Sequence, residues 1–178
     1  MYTAPSNYAF IDGTNLHLTY KYLGWKLDYR KLRNYLSEAH NVNKAYYFIG
    51  FMRGNQRTYN NLKTWGYPLK FREVSPRDTE YIICHKCGQV YEADTSKFKC
   101  DCDADIVLQI MNDINNFDKA IFISSDGDFD HLIEQLIRMS KLKLILAPCK
   151  KGCSYLLLRV ARGRIAFIED FRAELEKI

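Results

Sequence analysis

Short apolar runs alternate with longer amphipathic ones along this chain. NYAFIDG (residues 7–13) is apolar up to an acid and a glycine, and predicts a buried parallel strand. NLHLTYKYLG follows with helical character, and Gly24 can end it. Asp28 opens a second helix, DYRKLRNYLSEAH. KAYYFIGFM reads as the next strand, QRTYNNLKTWG as a helix closed by glycine, and YPLKFREV as a third strand with Pro68 at its start. Further on, DADIVLQIMNDI repeats Ile106, Ile110 and Ile114 at helical spacing, and KAIFISS is a fourth strand. Phe129, Leu132, Ile133, Leu136 and Ile137 then form one apolar helical stripe. LKLILAP is a fifth strand; SYLLLRVA and IEDFRAELEKI read as helices. Strands alternating with helices predict a parallel sheet covered on both faces.

The texture changes only after Ser75 and Pro76. Residues 78–102 carry four of the six cysteines and little helical pattern, so they read as an insertion in one domain spanning 1–178. A chain of 178 residues is long enough to hide about 70% of its unfolded surface. Its hydrophobic fraction of 47% is that of a globular protein. A net charge of +5 permits a polyanionic partner without demanding one. No stretch approaches the roughly 20 apolar residues that span a bilayer. The start, MYTAPSNYAFIDG, lacks the pattern of a signal peptide. The expectation is a cytoplasmic protein whose cysteines favour metal over disulfides.

The acids then acquire meaning from where they fall. Ligands of open parallel sheets bind beyond the carboxyl ends of the strands. Asp12 ends the first predicted strand, Asp126 and Asp128 follow the fourth, and Asp103 and Asp105 begin the helix before it. If the first and fourth strands are neighbours, these acids converge. Two unit charges about 4 Å apart repel by roughly 4 kcal/mol at an effective dielectric of about 20. Such a cluster calls for a proton, a basic side chain or a cation. No Lys or Arg occurs in FIDGTN or SSDGDFD, and all-oxygen ligands suit Mg²⁺ or Mn²⁺. Helix capping explains any single acid equally well, whether Asp103, Asp105, Asp128 or Asp130. It explains Asp12 poorly, because Thr14 can cap the helix that follows. Three acid sites at one edge favour the metal. Calcium loops are excluded, since Ile106 and His131 stand where glycine is needed. Phosphate-cradling and dinucleotide glycine motifs are absent. A TOPRIM-type site would want Glu where Asp12 stands.

FIDGTNL, CDADIVLQIM and KAIFISSDGDF, in that order and spacing, resemble the NYN domain family of PIN-like nucleases, found in a large group of bacterial proteins. The resemblance implies a three-layer α/β/α PIN-like (Rossmann-like) fold and Mg²⁺- or Mn²⁺-dependent RNA cleavage. It implies that Asp12, Asp103 and Asp126 hold the metal and that Asp128 supports it or its waters. Asn15 would orient a ligand or phosphate, Ser124 and Ser125 would shape the loop, and Asp105 would lend support. One departure from the resemblance stands out: many members of that family carry a further acid about two turns into the helix after Asp103, where this chain has Gln109, with Asp113 one turn on.

CHKCG and CDC place Cys84, Cys87, Cys100 and Cys102 as two pairs. A C-x2-C-G turn lets two thiolates grip one Zn²⁺, and the second pair completes a tetrahedral site resembling a zinc ribbon. Such a site would explain how a short segment without a core folds, and it would fix the backbone entering Asp103. His85 is expected to point away, and Cys153 reads as a small buried residue beside Cys149. Lys86, Lys97 and Lys99 permit phosphate contact or are plain surface charge. Arg53, Arg57, Lys150 and Lys151 lie in loops at the acidic edge and are RNA-binding candidates. Ser154 joins them or merely caps its helix; Tyr59 and Trp65 stack on bases or lie in the core.

The reading is a metal-dependent ribonuclease acting on RNA without a covalent protein intermediate. Two other classes stay open: an RNA-binding or regulatory module that keeps the fold without catalysis, supported by Gln109, and a protein-interaction platform built on the cysteine insertion. A DNA nuclease is not separated from an RNase by sequence.

Overall fold

The computed structural model describes residues 6–74, 81–83, 87–92 and 100–178, with residues 18–21, 81–83 and 91–92 described through their backbone. Its strands are β1 (Asn7–Asp12), β2 (Val42–Phe51), β3 (Leu69–Glu73), β4 (Tyr81–Ile83), β5 (Val90–Glu92), β6 (Ala120–Ile123), β7 (Leu142–Ala147) and β8 (Ile165–Phe167). Its helices are α1 (Gly13–Leu23), α2 (Tyr29–His40), α3 (Gln56–Thr64), α4 (Asp103–Asn112), α5 (Asp130–Arg138), α6 (Tyr155–Ala161) and α7 (Arg172–Leu175). Single 3₁₀ turns cover Gly127–Phe129 and Ile168–Phe171.

Six strands form one sheet in the order β3-β2-β1-β6-β7-β8, every pair parallel. The chain builds outward from β1 in one direction, then returns to its other side with β6. The expected adjacency of the first and fourth strands of the sheet is therefore present, Ile11 pairing with Ile123. A crevice opens where the strand order reverses, between β1 and β6.

The alternation of β1 explains the layers. Tyr8 and Phe10 point into one core with Phe122, Ile106, Ile110, Ile133 and Leu136, while Ala9 and Ile11 point into another with Ile121, Leu16, Leu32 and Leu62. Both faces of the sheet are thus apolar, as near-continuous apolar strands require. The α5 stripe buries Leu132, Ile133 and Leu136, each contributing about 1.5–3 kcal/mol on burial. Asp28 caps α2 by accepting from the N–H groups of Arg30 and Lys31, and Gly24 ends α1 at φ 69°.

Three details depart from the sequence reading. The segment Ile165–Phe167 is an edge strand on β7. The segment IEDFRAELEKI is one 3₁₀ turn and one short helix. Between β3 and α4 the pair β4–β5 forms a separate antiparallel hairpin. No helix among the described residues is long and apolar enough to cross a membrane.

Candidate metal centre at the strand crossover

Asp12 closes β1 and is 4% exposed. One of its oxygens accepts from the Asn15 N–H at 2.9 Å, capping α1; the other accepts from the Ser124 hydroxyl at 3.1 Å. Asp12, not Thr14, is thus the cap. Gly13 leaves the strand with no room to spare: a Cβ there would strike the Tyr47 ring and the Phe48 carbonyl. Ser124 is fully buried, and its oxygen also accepts from the Asp126 N–H at 3.1 Å. Asp126 in turn caps the following 3₁₀ turn, accepting from the Asp128 N–H at 3.1 Å. Capping and metal binding are not rivals here, because a carboxylate has more acceptor sites than one cap uses.

Asn15 latches the loop. Its side-chain oxygen accepts from the N–H of Ser125 at 3.0 Å and from the hydroxyl at 2.9 Å, across 110 residues of sequence. Ser154 braces the same loop from the far side. Its N–H donates to the Ser125 carbonyl at 3.0 Å, its hydroxyl caps α6 at Leu156, and its side chain lies where a Cβ on Gly127 would stand. Ser154 is a cap and a brace.

Asp103 arrives from α4, which is anchored by buried Cys102, Ile106 and Ile110. One oxygen each from Asp103, Asp126 and Asp128 lie within 4.8 Å of one another. Asp12 stands behind this trio, outside the set. Among the described residues none of the four pairs with Lys or Arg. Burial pushes the Asp103 carboxyl up to about 7, helped by the charges of Asp101, Asp12, Asp126 and Asp128. Burial also raises Asp12, against the lowering effect of its Asn15 and Ser124 bonds. Oxygens around Mg²⁺ sit about 2.1 Å from the ion, so neighbours stand about 3 Å apart. The trio's separations fall within the reach of one coordination shell, and its donor chemistry suits a hard cation.

Other candidates fall differently. Asp105 faces away, bound by Arg72 at 3.0 Å. Asp130 lies near Arg159. Lys150 is held by Asp170 at 2.7 Å. Lys151, Arg53 and Arg57 are exposed. Tyr59 is buried, and Trp65 packs against the core. Gln109 donates to Asp113 at 2.8 Å, so neither residue reaches the trio. Of the cysteines, Cys100 and Cys102 bring their sulfurs to 3.3 Å, and Cys87 is exposed at the hairpin without joining them. Cys84, His85, Lys86, Lys97 and Lys99 lie outside the described residues.

The model of the NYN domain matches residues 8–167. The chain is similar to Low amplitude and bright protein LabA from Synechococcus elongatus, 28% identical over 97% of this chain and 89% of the relative. Its fold is similar to the crystal structure of a protein of unknown function from Vibrio parahaemolyticus, with a TM-score of 0.70 over 98% of this chain and 99% of that one. At 19% identity this is a likeness of fold. With the match running from β1 to β8 and enclosing the acidic edge, the chain belongs to the NYN domain family, within a PIN-like nuclease superfamily whose domains use divalent metals.

Proposed function

We propose that this protein is a ribonuclease that hydrolyses RNA phosphodiester bonds with Mg²⁺ or Mn²⁺ at the acidic edge between β1 and β6. The observation that carries the reading is the gathering of Asp103, Asp126 and Asp128 from two different elements, with no basic partner among the described residues and buried Asp12 behind them. Asp12, Asp103 and Asp126, joined by Asp128, would hold the ion. When bound, the ion supplies Lewis-acid stabilisation of the charge that develops on a phosphodiester. The protein's own groups prepare the place. Ser124 holds Asp12 and the Asp126 backbone on one hydroxyl, and Asn15 fixes the Ser125 loop. Asn15 therefore acts by positioning. Lys151, Arg53 and Arg57 would take flanking phosphates, with Lys150 limited by its pairing to Asp170.

Cleavage of labelled single-stranded and structured RNA with Mn²⁺, Mg²⁺ or EDTA tests this, with wild type and Asp126→Asn side by side. Metal-dependent cutting that Asp126→Asn abolishes supports the nuclease. A folded wild type that binds RNA and cuts none of it supports the second reading, an RNA-binding module without catalysis. That reading draws on Gln109, which is tied to Asp113 and stands where the family resemblance implies an acid.

The four cysteines of the 78–102 module would hold a structural Zn²⁺. The supporting features are the β4–β5 hairpin, the left-handed Gly88 (φ 71°) directly after Cys87, and the close pair Cys100 and Cys102. Burial and the neighbouring Cys100 thiol raise the Cys102 thiol well above its ordinary value, so its thiolate needs a cation. Metal analysis showing about one zinc per chain, lost in Cys87→Ser, is the expected result. A zinc-free, folded wild type refutes it and leaves the segment as a candidate protein-interaction surface.

A further inference from the structure

Large aromatic side chains at the end of a sheet usually tuck under the next layer. Here two do not. Phe51, the last residue of β2, is 46% exposed, and Phe71 on edge strand β3 is 43% exposed. Burying each would have contributed about 1.5–3 kcal/mol. Instead the rings are held open in a fixed arrangement. Phe51 and Phe71 meet edge to face at 5.7 Å, and both rest on Tyr59, at 6.0 and 4.9 Å. Tyr59 is itself immobilised, since its buried hydroxyl donates to the Gly50 carbonyl and accepts from the Met52 N–H, both at 2.9 Å. Met52, 40% exposed, extends the apolar patch.

The margin of this patch is cationic. Arg53 and Arg57 are exposed, and neither has an ion pair with a described residue. Lys63 lies 5.8 Å from the Phe71 ring centroid. Among the described residues, Glu73 lies two positions beyond Phe71 on β3, and Asp105 is neutralised by Arg72 on the other face of that strand. A surface that offers flat apolar rings inside a rim of cations complements a chain of flat bases joined by phosphates.

The patch shares the strand-end edge of the sheet with the acids. Asp12 pairs with Phe48 across β1 and β2. Phe51 lies three residues further along, about 10 Å beyond the level of Asp12 on the same edge. Arg72, on the opposite face of β3 from Phe71, ties that strand to Asp105 on α4, the helix that presents Asp103, so rings and acids share the strand-end edge from opposite faces of the sheet.

Resting on the ribonuclease reading, we propose that Phe51 and Phe71 are a stacking platform for two bases of single-stranded RNA, with Arg53 and Arg57 on the adjoining phosphates. The platform holds the strand beside the acidic edge and selects unpaired over duplex RNA.

The test is binding of fluorescein-labelled oligo-rU and an RNA duplex by anisotropy in EDTA, where no cleavage interferes, with folding followed by circular dichroism. Phe51→Leu and Phe71→Leu keep apolar bulk and lose the ring, and each is expected to weaken oligo-rU binding about tenfold. Phe51→Trp is expected to retain affinity, with its emission quenched on binding. Arg53→Gln with Arg57→Gln should flatten the salt dependence of affinity. Unchanged affinity in both Leu variants overturns the platform, as does a wild type that binds no single-stranded RNA at low salt. Equal dependence on the rings for oligo-dT keeps the platform and removes its preference for RNA. The two readings fail separately: ring-dependent binding without Mn²⁺-dependent cleavage leaves the platform standing and the nuclease not, and cleavage indifferent to both rings does the reverse.

Discussion

The acidic edge and the cysteine segment both bring together residues that bind metals, yet they are organised in opposite ways. At the edge, each carboxylate is fixed by the sheet: Asp12 by Ser124 and Asn15, Asp126 by its own turn, Asp103 by a helix anchored on buried isoleucines. The fold assembles these ligands against their mutual repulsion, because the packing beneath contributes more than the repulsion costs. In the cysteine segment, Cys87 stands exposed and apart from Cys100 and Cys102. Apolar packing seats Cys100 and Cys102 against the core, but nothing apolar among the described residues draws Cys87 to them. A metal would tune the first site and would organise the second.

The sharpest way to break this contrast is Asp126→Asn. Cleavage should fall by more than the 10–100-fold typical of losing an outer-sphere partner, with melting temperature nearly unchanged. A variant that cuts RNA at the wild-type rate would remove the edge from the chemistry. Gly13→Ala comes next: forcing a methyl against Tyr47 and the Phe48 carbonyl should cost about 1–3 kcal/mol, read as an early thermal transition. The site and the sheet should fail together there. Chelation sharpens the other half. Removing the proposed zinc should leave the six-stranded sheet folded by circular dichroism while amide protons of 81–83 and 87–92 exchange faster.

The Asp103 carboxyl gives a pH signature. Raised to about 7 in the fold, it holds its proton more tightly than in the unfolded chain. The stability this proton contributes is complete below about pH 4 and is lost as pH rises through 7. The metal-free protein should therefore lose stability over that window. Stabilisation by Mn²⁺ should grow from pH 5.5 to 8, because the ion competes with that proton; thermal melts at fixed Mn²⁺ would show it, and a flat response would contradict it. The smallest effect belongs to Arg72→Gln. An exposed ion pair is worth about 1 kcal/mol at most, so the melting temperature should barely move.

Much of the fold was legible because apolar runs and stripes are local. Asp12, Asp126 and Asp103 could be placed at one edge from strand ends alone, given that the first and fourth strands pair. What escaped depends on partners far away in sequence. The Asn15–Ser125 latch spans 110 residues, Arg72–Asp105 spans 33 and Lys150–Asp170 spans 20. No periodicity encodes such pairs, so Asp105 and Lys150 read as free when they are engaged. Strand β8 was missed because three residues carry too little alternation to register. Phe51 and Phe71 passed as strand interior, since sequence does not reveal that β3 is an edge.

The shared hydroxyl of Ser124 has a consequence for how the chain is made. Asp12 leaves the ribosome early, but its partners Ser124 and Asp126 are more than a hundred residues behind. The carboxylates have no common scaffold until β6 has slid in beside β1 in the right register. A chain proposed to cut RNA, and synthesised within reach of ribosomal RNA, is thereby harmless for most of its own birth. The proposed cutting site exists only once the sheet has closed.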